Sequence, residues 1–391
     1  MLNKLLPPIV ILALIGALVY GKMEFRQETS NLVQSSLAGQ YEVKLSGAVY
    51  DLRPVGEGGE QLAGWAAVAE GAGFAGPLTV IAVFDTAGIL QQGQVARHGE
   101  TTLFYNLARP AELIRGLIGK SYAQIAQGNY QLDTVSGASA TTGAVLTAIG
   151  QAAEVIGEAH FGFIPAKQSV QFEFGFAEVV VIILFLSGIL AVKRKISYKA
   201  QLRFITQAAG LLVIGFWENS PISMVKITSF LLGYIPSLYT GFYWYLLLGG
   251  FVFSILLTGR NIHCRYVCPF GAMQRFTGLI GGADKSLPTA MALWARRIRN
   301  LLVISLLFYA FLSNNAGIAG YEPFGTAFTL NGTVLYWLLL VTVLTSSLFL
   351  RNPWCHYLCP IQSIAELLIS VRRKLESLLS RNGNGEKTRE I

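Results

Sequence analysis

Long apolar runs alternate along this chain with short clusters of cations, a pattern that predicts helices crossing a membrane. Residues 5–20 are apolar throughout, with Lys4 as the one charge before them. No small-x-small cleavage site precedes Lys22, so the run predicts an uncleaved anchor over residues 1–22 with its N-terminus in the cytoplasm. Residues 174–192, interrupted by Glu178, predict a second span, and residues 204–217, 242–257, 301–312 and 333–350 predict four more. The apolar stretch 222–238 is broken by Pro221 and Pro236 and predicts an interfacial or re-entrant helix. Ile364, Leu367, Leu368, Val371 and Leu375 recur at helical spacing among basic residues, which predicts an amphipathic surface helix over 353–380.

Residues 23–170 differ in character: strand-like alternation, Gly-rich turns and charges of both signs predict a separate folded domain. Lys193, Arg194, Lys195, Lys199 and Arg203 follow the second span. The positive-inside rule makes that side cytoplasmic and puts the preceding domain in the periplasm or outside the cell. The expectation is therefore an α-helical polytopic protein of the bacterial inner membrane, with about six transmembrane helices and an extracytoplasmic α+β domain. Its parts would be an anchor (1–22), that domain (23–170), a five-helix region (171–350) and a cytoplasmic tail (351–391).

Composition agrees, since 53% of residues are hydrophobic and only 13% charged. The net charge of +8 sits beside apolar runs. Lipid and topology account for it, and a nucleic-acid partner is not expected.

The chemistry begins with a repeat. Residues 260–269 and 351–360 both read R-N-x-x-C-x-Y-x-C-P, both follow an apolar run, and together they hold the four cysteines of the chain: Cys264, Cys268, Cys355 and Cys359. A C-x3-C pair on a helix sets its sulfurs one turn apart on one face. Two helical hairpins in like orientation, each ending in this motif at the cytoplasmic side, would turn the pairs toward one another. Four thiolates followed by proline are similar to the ending of bacterial ferredoxin motifs and point to an iron–sulfur cluster, with 4Fe-4S preferred to 2Fe-2S. Structural zinc takes the same ligands but favours C-x2-C spacing, and a disulfide within a C-x3-C helix would need distortion.

A second signature lies at residues 133–143, D-T-V-S-G-A-S-A-T-T-G, ahead of an apolar helix from about residue 144. Small residues before a helix N-terminus leave N–H groups open to an anion, which suits a phosphate. The stretch resembles the acceptor motif of FMN-binding domains, D-x-x-S-G-A-[ST]-x-T. Gly73-Phe74-Ala75-Gly76-Pro77 and His98-Gly99-Glu100-Thr101 resemble two further landmarks of that domain. The resemblance implies FMN joined to Thr141 through a phosphodiester by a flavin transferase of the ApbE type. It also implies a site that includes Asp133, Ser136, Gly137, Ala138, Ser139, Glu100 and Thr101. Ser139 stands where members usually carry Thr, which keeps the hydroxyl.

Taken whole, the chain resembles the NosR/NirI family of membrane flavoproteins, in the shorter PceC-type layout without a C-terminal ferredoxin domain. That resemblance implies an electron-transfer protein linking a quinol or ferredoxin-like donor to a periplasmic acceptor protein, with no catalysis on a metabolite. A redox sensor or maturation factor for a periplasmic reductase is the alternative. The hydrocarbon core is about 30 Å thick, too far for one efficient electron hop, so other membrane redox subunits or a mobile flavin domain are expected to shorten the path.

Overall fold

The computed structural model of the chain describes residues 2–37, 39–55, 61–132, 138–165, 172, 174–194 and 197–387. In chain order these form α1 (Leu2–Leu37), β1 (Tyr41–Ser46), β2 (Val49–Pro54), β3 (Gly64–Ala72), β4 (Pro77–Asp85), β5 (Leu90–His98), α2 (Thr102–Ala108), α3 (Pro110–Arg115), α4 (Tyr122–Ala126) and α5 (Ser139–Phe161). Then come α6 (Phe176–Lys193), α7 (Lys199–Gly210), α8 (Met224–Leu231), α9 (Phe242–Thr258), α10 (Pro269–Gly281), α11 (Thr289–Leu312), α12 (Phe324–Thr329), α13 (Val334–Ser347) and α14 (Pro360–Lys387). Two compact units result. The first comprises Met1–Ser169, Val225–Ile235 and Leu306–Gly320, and the second comprises Val170–Met224, Pro236–Ser305 and Tyr321–Ile391.

In the first unit the five strands form an antiparallel meander in sequence order. Side chains alternate across such a sheet. Trp65, Ala67, Val80, Ala82 and Phe84 therefore bury one face against Val145, Ile149, Ala152 and Ile156 of α5. Ala66, Ile81 and Val83 bury the other against Val33 and Leu37 of α1. Each such aliphatic or aromatic side chain contributes roughly 1.5–3 kcal/mol on burial, and β4, buried on both faces, anchors the unit. The predicted anchor over 1–22 is thus only the first part of a helix that continues to Leu37, because its C-terminal turns have a sheet to cover. Farther back on α1, Ala17 packs with Leu232, Phe311 and Ala316. At Gly21 a side chain would collide with the backbone of Phe311 and Leu312.

The second unit is helical: α6 packs on α7 and α9, α10 on α13, and α14 on α9. Among the described residues two helices, α6 and the continuous α7 extension Lys199–Trp217, are long and apolar enough to cross a membrane, not about six. The shortfall is one of length and charge. α9 and α13 are apolar but run for 17 and 14 residues, at or below the lower limit for a span. In α11 the apolar second half follows Arg296, Arg297 and Arg299. The stretch 222–238 holds only the eight-residue α8, too short to cross. Glu178, which interrupts the second predicted span, has a local role: its carboxylate accepts the Gly175 N–H at 2.8 Å and caps α6, as an acid in a first turn should.

Candidate flavin and metal sites

The four cysteines are free thiols that the second unit brings together. They do not ride on unbroken α-helices. Each first cysteine lies in a short π-helical turn, His263–Val267 or Trp354–Leu358. Each second cysteine is extended, with ψ of 120° at Cys268 and 123° at Cys359, and caps the next helix. Proline is the cause: Pro269 and Pro360 exclude the α conformation from the residue before them and start α10 and α14 at the first helical position, where proline is favoured. In both copies the second cysteine closes the turn with a 2.8 Å bond from its N–H, to the carbonyl of His263 or Trp354. The new helix then aims two N–H groups at the sulfur: those of Phe270 and Gly271 at Cys268, and of Ile361 and Gln362 at Cys359.

Polar side chains join the copies. Gln274 of α10 donates to Cys355 Sγ at 3.1 Å and accepts from the Trp354 N–H at 3.0 Å. Asn261 accepts from the Cys264 N–H at 3.0 Å and donates to Gln362 at 3.0 Å. Gly271 fits closely here, since a side chain on it would begin 3.2 Å from the Cys264 carbonyl oxygen. Burial pushes all four thiols up, Cys359 to about 12. Neighbouring sulfurs add to the effect at Cys264 and Cys355. Left as thiols they stay protonated, and an electron-poor metal is what makes such groups thiolates.

Cys264 and Cys355 line a cavity of about 560 Å³ together with Arg203, Arg265, Arg275 and Arg351. Arg351 pairs with Asp284, and Arg203 and Gln207 both donate to the Arg265 carbonyl, at 3.2 and 3.0 Å. Four guanidinium groups suit a negatively charged sulfur-ligated centre. Among the described residues no group of three or more His, Cys, Asp or Glu is arranged to hold a single metal ion. His263 is packed against Phe185 and Phe251, and His356 bonds the Arg351 carbonyl at 2.8 Å; both work as supports of the turns.

In the first unit Thr141 and Thr142 are buried in the first turn of α5, with Ala138 buried as its cap and Ser139 exposed. Asp133, Ser136 and Gly137 lie outside the described residues. The Thr141 hydroxyl bonds the Glu100 carboxylate, which also receives the Phe74 and Ala75 N–H groups, the latter at 3.3 Å. Gly73 lets this carboxylate in, as a side chain there would collide with Glu100 Oε1. Burial pushes Glu100 up to about 7. Lys226 of α8 is buried in the same unit, donates to the Phe74 carbonyl at 3.1 Å, and is pushed down to about 8 by burial. Sequence reasoning missed Lys226, because a lysine in an apolar stretch signals topology before it signals a ligand.

Among the described residues of this unit six buried polar atoms have no hydrogen-bond partner: His98 Nδ1, Glu100 Oε2, Thr101 Oγ1, Thr142 Oγ1, Thr228 Oγ1 and Asn314 Oδ1. Each such atom costs roughly 1–3 kcal/mol unless something bonds it. Four of them, on His98, Glu100, Thr101 and Thr142, lie in the 98–101 segment or next to Thr141, which fits a polar ligand such as a flavin phosphate there.

This pairing of sites, one rich in unmet hydrogen bonds beside a helix N-terminus and one built of four thiols, is that of a flavin and iron–sulfur protein. Residues 73–154 match the FMN-binding domain family, and residues 240–288 and 331–377 match the 4Fe-4S binding domain family. The chain is 30% identical over 220 residues to the regulatory protein NosR of Pseudomonas aeruginosa, covering 52% of this chain and 30% of that one. It is 27% identical over 223 residues to the protein NirI of Paracoccus denitrificans, covering 52% and 32%. It is also 29% identical over 171 residues to the putative electron transport protein YccM of Escherichia coli, covering 39% and 46%. The chain is thus similar to NosR and NirI over about half of its own length, and it spans only about a third of the length of those relatives.

Proposed function

We propose that this chain is a multi-pass protein of the bacterial inner membrane that passes electrons between a 4Fe-4S cluster on Cys264, Cys268, Cys355 and Cys359 and an FMN joined covalently to Thr141. The observation that carries the reading is the coexistence in one chain of four gathered, arginine-flanked thiols and a buried threonine set among unmet polar atoms. FMN exchanges electrons in twos and ones, and a cluster in ones, which is the ordinary reason to hold both. A phosphodiester retains the flavin in a dilute outer compartment.

The sidedness has structural support. Residues 225–235 and 313–320 fall in the stretches between apolar helices that the charge pattern puts outside, and both belong to the unit that carries the FMN-binding domain. The donor is then a quinol or a cytoplasmic ferredoxin-like protein and the acceptor a periplasmic protein, with further membrane redox subunits completing the path.

The likeness to NosR, a regulatory protein, favours a second reading in which flavin state controls a partner's maturation. Anaerobic purification of protein co-expressed with a flavin transferase, followed by stopped-flow reduction with quinol or reduced ferredoxin, separates the two. Flavin reduced within the time of turnover supports electron transfer. Both cofactors present with no donor able to reduce the flavin would leave the regulatory reading.

A further inference from the structure

Glu and Lys are almost never fully buried unless something opposes their charge, and here one of each is buried in the first unit with relative exposures of 3% and 4%. The Glu100 carboxylate bonds the Thr141 hydroxyl and the N–H groups of Phe74 and Ala75. Lys226 comes from a distant part of the chain. It donates to the Phe74 carbonyl at 3.1 Å, its ammonium stands 5.1 Å from the Phe74 ring centre, and its charge acts on Glu100. Glu100 and Lys226 thus both hold the 73–76 loop, the carboxylate through its N–H groups and the ammonium through the Phe74 carbonyl.

Attachment of flavin at Thr141 changes the charge balance at this spot. The Thr141 oxygen forms a P–O bond to the flavin phosphate, the P–O bond to AMP of a flavin adenine dinucleotide breaks, AMP departs as the leaving group, and the hydroxyl proton is released to water. An uncharged hydroxyl becomes a phosphodiester carrying one negative charge, next to a buried carboxylate. Two anions in so little water raise each other's energy steeply unless a cation faces both.

Building on the reading of Thr141 as the flavin acceptor, we propose that Lys226 is the counter-cation of the flavin phosphate, a positioning residue that lets the phosphodiester form and persist beside Glu100. Its burial explains the role: burial pushes it down to about 8, and an added anion strengthens its hold on the proton. Segment 225–235 is therefore part of the flavin site as well as a structural prop for the sheet domain.

The test uses full-length protein co-expressed with a limiting amount of flavin transferase, with covalent loading followed by in-gel flavin fluorescence after denaturation. Lys226→Met should slow loading at least tenfold while Lys226→Arg keeps most of it. Glu100→Gln combined with Lys226→Met, which removes both charges and so spares the fold an unpaired carboxylate, should recover loading over Lys226→Met alone. Thermal melting before denaturation confirms that each variant is folded. Loading of Lys226→Met at the wild-type rate would overturn the proposal, as would a folded Lys226→Arg as slow as Lys226→Met, or a folded double variant that does not load. Thr141→Val, run alongside, tests the acceptor separately: persistent fluorescence there sinks the acceptor assignment and with it the basis for the Lys226 role.

Discussion

The side-chain amide of Gln274 donates a 3.1 Å hydrogen bond to Cys355 Sγ. Donor and acceptor belong to different copies of the repeat, and the second copy has no counterpart, since Ala365 stands at the matching place after Cys359. The thiol set is therefore asymmetric although the R-N-x-x-C-x-Y-x-C-P frame is the same in both copies.

A hydrogen bond to a cluster sulfur stabilises the more negative, reduced state more than the oxidised one. Gln274→Leu should keep the iron but lower the cluster's reduction potential by roughly 59 mV, a tenfold change for a one-electron couple. An EPR-monitored redox titration measures this. An unchanged potential with full iron content would mean that the amide serves only the Trp354 N–H.

The repeat itself was plain in the sequence, as were the five cations after the second span and the small-residue approach to α5. The turn geometry was less plain. Reading C-x3-C as helical spacing overlooked Pro269 and Pro360, whose effect on the preceding residue ends one helix at each second cysteine and starts another. Gln274 and Lys226 were invisible for a different reason. Their partners, Cys355 and the Phe74–Glu100 region, lie far away in sequence, and such contacts leave no local pattern. The number of spans was overread because apolar composition alone says nothing of helix length. α9 and α13 are as apolar as spans but stop short.

Glu100 gives the first unit a pH dependence with a definite sign. Burial pushes it up to about 7 from the ordinary 4.5. Below the ordinary value both folded and unfolded chains hold the proton. Between there and about 7 only the folded chain does, so stability falls as pH rises through that window and then levels. Lys226, pushed down to about 8 by burial, works in the opposite sense above that value. The flavin-free protein should be least stable between about pH 7 and 8. Glu100→Gln should raise its melting temperature at pH 7.5 and leave it unchanged at pH 4, as measured by differential scanning fluorimetry. Equal effects at both pH values would show that Glu100 is ionised in the fold throughout.

Thr141 and Thr142 are adjacent, equally buried hydroxyls, yet only Thr141 bonds Glu100, while Thr142 Oγ1 has no partner. Thr141→Val should abolish covalent flavin. Thr142→Val, which replaces an unmet hydroxyl by a methyl, should retain it. Peptide mass mapping of the loaded protein decides between them, and flavin found on Thr142 would reverse the assignment.

Arg299 is fully buried and bonds Glu366 at 2.6 Å, whereas Glu366 is 43% exposed. The two halves of this pair should therefore differ in what their loss costs. Glu366→Gln strands a guanidinium that already has one unpartnered nitrogen, Nη1, in a place water does not reach. Breaking a buried pair from that side costs about 3 kcal/mol or more, moderated by the bonds Arg299 keeps to Asn300. Arg299→Met leaves a carboxylate that solvent can reach and fills the space with an apolar chain, so it should cost less than half as much. Thermal melts of the two variants in the same detergent compare them directly. A larger loss for Arg299→Met would mean that the arginine is held mainly by packing and that its charge is of little consequence to the α11–α14 contact.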